Sequence, residues 1–128
     1  MLYVGMDKET DHTLKLLLDL DGFAYATDGG YWLKYDVKKV RTTVERPHGI
    51  KYSLTLHLPS GKRIFGIDNA HRQEARRTPA GKSRRPLAVD HMHKGNRLVP
   101  YEFRDAETLL QDFATGVNAT LKKSGVRR

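Results

Sequence analysis

Hydrophobic and polar residues alternate most regularly between Ile50 and Leu58. Ile50, Tyr52, Leu54, Leu56 and Leu58 fall on one side, and Lys51, Ser53, Thr55 and His57 on the other. This is the period-two pattern of a strand with one buried face. Pro59-Ser60-Gly61 turns the chain, and Lys62 to Asp68 returns; so short a connection permits only an antiparallel partner. Tyr31 to Thr43 alternates as well, with Tyr31, Leu33, Tyr35 and Val37 opposite Trp32, Lys34, Asp36 and Lys38. Its aromatic and β-branched residues favour a strand, and Trp32 reads as packing. Leu14 to Leu20 reads as a strand by the same alternation, although Leu14, Leu17 and Leu18 also fit a helical period. Asp21-Gly22 is a two-residue hairpin signal leading to a second strand at Phe23 to Ala26. Arg97 to Phe103 reads as a short closing strand, with Pro100 at an edge or a break because it lacks a ladder donor.

From Asp105 the period changes. Leu110, Phe113, Val117 and Leu121 form one apolar stripe at helical spacing. Asp105 suits the N-cap, Glu107 suits the first turn, and Gly125 suits the termination of the helix. The predicted fold class is α+β: an antiparallel β-meander of about five or six strands with one C-terminal helix packed on one face. At 128 residues the chain is expected to form a single domain, residues 1–128. The absence of cysteine excludes disulfides, thiolate zinc sites and a cysteine nucleophile. No apolar run approaches the ~20 residues of a membrane helix, and no signal peptide is read, so a cytoplasmic protein without a membrane partner is expected.

Charge changes the picture in one place. The net charge is +8, and the segment from His71 to Arg97 holds eight lysines and arginines against Glu74 and Asp90, a net +6. The segment has no clear periodicity and is rich in Pro and Gly, so a long basic loop is expected at about residues 70–97. Clustered positive charge suits a nucleic acid, an acidic protein partner, or solubility alone. Candidate nucleic-acid contacts are Lys51, Arg72, Arg76, Arg77, Lys82, Arg84, Arg85 and Lys94, with Tyr101 for stacking on a base.

The ordered motifs carry a resemblance. Lys51-Tyr52-Ser53-Leu54 is followed by Gly61-Lys62-Arg63-Ile64-Phe65-Gly66-Ile67-Asp68-Asn69-Ala70-His71. Asp90-His91-Met92-His93, Pro100-Tyr101-Glu102-Phe103 and the helix with Leu109-Leu110-Gln111-Asp112-Phe113 come next. In order and spacing these pieces resemble the TumE family of bacterial and archaeal toxin–antitoxin proteins, over roughly residues 30 to 122. The resemblance implies a small toxin encoded beside a helix-turn-helix antitoxin that neutralises it.

The residues of the long segment suggest a chemistry. RNA cleavage without metal needs a base for the 2′-hydroxyl, an acid for the leaving oxygen and cations for the phosphorane. Histidine fits the first two roles, since its pKa lies near neutrality. His91 and His93 share a face in an extended segment, about 7 Å apart. His71 offers a second route to the same pairing, and Asp68 can orient a histidine. The candidate catalytic residues are therefore Asp68, His71, His91 and His93, with Lys51 and Arg72 for charge stabilisation. His-x-His spacing also suits a transition metal, with Asp68 or Asp90 as the oxygen ligand. The positive surroundings oppose it, so no metal and no cofactor are expected. The expected function is the toxin of a type II toxin–antitoxin pair, a metal-independent endoribonuclease acting on RNA. The alternative is a non-enzymatic module that binds nucleic acid or a partner protein. His12, His48 and His57 are assigned no role.

Overall fold

The computed structural model describes residues 12–44, 46–69 and 90–127. Six strands form one antiparallel sheet in meander order: β1 (Ala24–Ala26), β2 (Trp32–Lys39), β3 (Ile50–His57), β4 (Arg63–Asp68), β5 (His91–Lys94) and β6 (Arg97–Pro100). A short helix α1 (residues 12–19) precedes the sheet, and helix α2 (Ala106–Lys123) follows it. The fold is α+β, as the patterning implies. None of the described helices is long and apolar enough to cross a membrane.

Register follows from the alternation. Tyr35 faces Leu54, and Leu54 faces Ile67; Leu33 faces Leu56, and Leu56 faces Phe65. These residues share one face with Val37 and Tyr52, and α2 lays Leu109, Phe113, Val117 and Leu121 against that face. The Phe113 ring meets Tyr35 edge-on and stacks on Phe65. Asp105 caps α2, its carboxylate accepting from the Thr108 N–H at 2.7 Å, and Gly125 follows the last turn. The buried helical stripe runs through Ala106 and Leu109, so Leu109 lies on it in place of the expected Leu110, which is half-buried.

Gly116 explains how closely α2 sits. A Cβ there would lie 1.9 Å from the Phe65 ring. The ring fills the space that any side chain would need, so a residue that weakens a helix is required in the middle of this one.

Two expectations are corrected. Residues 12–19 are helical, not a strand. The alternation placed Leu14, Leu16, Leu18 and Leu20 together, yet Leu17 is the fully buried residue and Leu16 is 52% exposed. Leu14 and Leu18 pack beside Leu17, which is the i, i+3, i+4 spacing of a helix face. Asp21-Gly22 accordingly joins α1 to the sheet instead of turning a hairpin. The Asp21 carboxylate accepts from the Val37 N–H and from Lys38, and the Gly22 N–H donates to the Tyr35 carbonyl. Second, the C-terminal part of the range expected as loop is not loop, because His91–Lys94 is a strand paired to Arg97–Pro100 through Gly95-Asn96. Pro100 lies at the end of the edge strand, where its missing donor costs nothing. The basic run at residues 70–89 lies outside the described residues.

Gly116→Ala is expected to destabilise the protein by about 1–3 kcal/mol through overpacking against Phe65, against a helix-propensity gain of about 1 kcal/mol. Denaturant unfolding measures it. A variant as stable as the parent would contradict the close seating of α2.

Candidate active site

The face of the sheet opposite α2 carries polar residues. Asp68 ends β4, and its position is held by the residue after it. Asn69 is fully buried; its N–H still donates to the Tyr52 carbonyl, and its side chain carries the ladder further. Its Oδ1 accepts from the Tyr52 N–H at 2.8 Å, and its Nδ2 donates to the Ile50 carbonyl at 2.9 Å. Its own carbonyl accepts from Arg46 Nη2 at 2.8 Å. The next strand pairs Asp68 with His91 and Gly66 with His93. Because side chains alternate, Asp68, His91 and His93 all emerge on the open face.

There the carboxylate gathers both imidazoles. Asp68 Oδ2 lies 2.9 Å from His93 Nε2, and Oδ1 lies 3.1 Å from His91 Nε2. The two rings are 5.1 Å apart and nearly perpendicular. Asp68, His91 and His93 are 4%, 8% and 7% exposed, so this polar cluster is buried. Arg63 Nη2 approaches His93 Nδ1 at 3.2 Å. A guanidinium only donates, so Nδ1 is the acceptor and the ring proton of His93 sits on Nε2, directed at Asp68. Burial pushes the His93 pKa below 6.5, and Arg63 adds to this against the pull of Asp68. His93 is thus a neutral imidazole with both nitrogens engaged. His91 differs: its buried Nε2 pairs with Asp68 Oδ1, and no described guanidinium faces its ring.

Gly66 belongs to this arrangement. A Cβ there would press on Thr55 Cγ2 at 3.0 Å and the Leu54 carbonyl at 3.1 Å. Its bareness lets Thr55, Gly66 and His93 form one flat row across the sheet.

A second polar cluster sits on the other side of the same sheet end. The Tyr52 hydroxyl donates to Asp90 Oδ2 at 2.6 Å, and His48 Nε2 lies 3.8 Å from that oxygen. Burial raises the Asp90 carboxyl above its ordinary value, although Tyr52, His48, His91 and Arg46 pull it down. Burial and Asp90 raise the Tyr52 hydroxyl far above the usual phenol range. The His48 ring packs on Phe103 at 4.0 Å, and burial lowers its pKa below 6.5. His48 Nδ1 and Arg46 Nε are buried without hydrogen-bond partners among the described residues.

The structure brings together Asp68, His91 and His93 of the expected residues. Lys51 is exposed on the same open face, in the row beyond Ser53 and Asp68. Lys94 alternates with the histidines and points to the other face, with Met92. Tyr101 donates its hydroxyl to Asp112 at 2.6 Å, which fastens α2, and its N–H donates to the Asp90 carbonyl. His71, Arg72, Arg76, Arg77, Lys82, Arg84 and Arg85 lie outside the described residues. Arg63, Asn69, Gly66 and His48 were not singled out as site residues. The Gly95-Asn96 pair was a hairpin signal that would have located β5. Nothing local would have shown Arg63 reaching His93, since that contact depends on a register shift between Leu56 and His57.

The ligand atoms of Asp68, His91 and His93 lie within 4.8 Å of one another, a donor set that a transition metal accepts. Arg63 opposes that use. A metal on His93 Nε2 would move the ring proton to Nδ1, against a guanidinium that has no acceptor.

The neutral histidines set a pH dependence. Both His48 and His93 have folded pKa values below 6.5, so the unfolded chain takes up protons first on acidification. Their contribution is complete above about 6.5 and is lost as pH falls through that value. Asp90 has the opposite sign, since its raised carboxyl gains stability on protonation. The denaturation midpoint is expected to fall between about pH 7.5 and about pH 5.5, and to fall less in His48→Gln. A wild-type midpoint that rises over this range would contradict the neutral assignments.

Comparison with known proteins places this geometry. Searches of the curated proteins and of the solved structures found no match. A family model described as Toxin TumE matches residues 10–121, which contain all the described strands, all but the last two residues of α2, and the Asp68–His91–His93 cluster. The chain belongs to the TumE toxin family.

Proposed function

We propose that this toxin acts on RNA as a metal-independent endoribonuclease and is neutralised by a helix-turn-helix antitoxin. The observation that supports the reading is one buried carboxylate gathering two histidines on a rigid sheet face. His91 is the proton-transfer group, because its ring pairs with Asp68 and is not held by Arg63 as that of His93 is. It takes the proton of the 2′-hydroxyl as the 2′-oxygen attacks phosphorus, and Asp68 stabilises the imidazolium that results. The bond to the 5′-oxygen breaks, leaving a 2′,3′-cyclic phosphate, and the leaving oxygen takes up a proton. His71 is the candidate for returning it; His93, neutral and bound at both nitrogens, holds Asp68 in place. Arg63, against His93, supplies positive charge towards the phosphorane. The basic run from Arg72 to Arg85 attracts the polyanion, as Lys51 does on the open face.

The test is cleavage of cellular RNA in EDTA. Wild type is expected to cut, and His91→Ala to lose about 10²–10⁴-fold in rate, the usual contribution of acid–base catalysis. Asp68→Asn is expected to fall with it, and His71→Gln to lose rate as the acid, while His93→Gln tests the positioning of Asp68. Absence of cleavage by folded wild type would leave the non-enzymatic binding module. Activity abolished by EDTA and restored by metal would replace the acid–base scheme with a metal centre at the same residues.

A further inference from the structure

The open face carries one large aromatic that the core does not use. Trp32 is not part of the apolar cluster that α2 covers. It lies across from His57 in the β2–β3 register, and the two rings stack at 4.1 Å and 12°. Both rings are locked. The Trp32 indole N–H donates to the Leu58 carbonyl at 3.0 Å. His57 Nδ1 lies 2.9 Å from the Gly61 carbonyl, and Nε2 lies 2.8 Å from Thr55 Oγ1. A carbonyl only accepts, so His57 donates from Nδ1 and accepts from Thr55 at Nε2. With both nitrogens engaged, the ring is held in one orientation. What remains is a rigid pair of flat rings, each partly open to solvent.

The pair is joined to the Asp68 cluster. Arg63 follows His57 in the β3–β4 register, and its guanidinium reaches His93. Lys34, Lys38 and Lys51 share the face by alternation; Lys34 pairs with Asp36 and Lys38 with Asp21, while Lys51 is exposed. A flat aromatic pair beside cations is the composition that binds single-stranded nucleic acid: phosphates meet the cations and a base stacks on the rings.

We propose that Trp32 and His57 form a nucleobase-stacking subsite for single-stranded RNA, which sets the phosphodiester presented to Asp68, His91 and His93. The proposal rests on RNA being the target, and binding is measured apart from cleavage so that the two readings fail separately. Trp32 is the only tryptophan in the sequence, so its emission reports this position directly. The experiment titrates His91→Ala protein, which leaves the RNA intact, with a short single-stranded RNA and with the same sugar–phosphate chain lacking bases.

The base-bearing strand is expected to quench Trp32, and the abasic strand is expected to leave its emission unchanged. Anisotropy of labelled RNA is expected to show about 5- to 100-fold weaker binding by Trp32→Leu in the same background. Trp32→Phe, which keeps a ring, is expected to restore most of the affinity, a rescue that a misfolded variant would not show. RNA binding with no Trp32 response and unchanged affinity in Trp32→Leu would overturn the subsite while leaving the cleavage scheme standing. No binding of any RNA would overturn both.

Discussion

Asn69 has no surface exposure, and every polar group of its side chain is engaged by the neighbouring strand. It takes the place of one more backbone pair between β3 and β4, at the point where the chain must leave the sheet. Removing that amide would strand the Tyr52 N–H and the Ile50 carbonyl in the interior, at about 1–3 kcal/mol for each buried group left unpaired. The rest of the functional end depends on this contact. It sets where β4 stops and so fixes Asp68. Through Tyr52 it touches the Asp90 cluster, and through its own carbonyl it holds Arg46.

The sheet thereby separates two tasks. One face is sealed by α2, with Phe65 seated against Gly116 and Phe113 between Phe65 and Tyr35. The other face displays charged and aromatic groups on the same strands. Side chains mounted on paired strands are held more firmly than side chains on loops, and acid–base chemistry needs that firmness. Burial matters equally. Asp68, His91 and His93 are withdrawn from water, so their mutual interactions are stronger than they would be at an open surface. Arg63 then selects a tautomer, because it can only donate.

Much of this was legible in the chain. The alternation of β2 and β3 assigned their residues to faces, the short turn made β4 antiparallel, and the Asp105 cap and apolar stripe located α2 within one position of its buried edge. Residues 12–19 were misassigned because Leu-rich segments satisfy two periods at once; only the burial of Leu17 separates them. The site was half legible. Asp68, His91 and His93 stood out by residue type and parity. His48 did not, since nothing near it in sequence points to Asp90, which lies 42 positions further along the chain.

The sequence by itself determined the class of fold, the two faces of the sheet and the histidine-rich character of its end. Those features depend on local periodicity, which neighbouring residues set between themselves. Only the tertiary structure decided that Asp68 lies opposite His91, that Arg63 reaches His93, and that Trp32 stacks on His57. Each is a cross-strand meeting, governed by register and by one bulge near His57. Register depends on how distant segments fit together, and a change of one residue would exchange the faces.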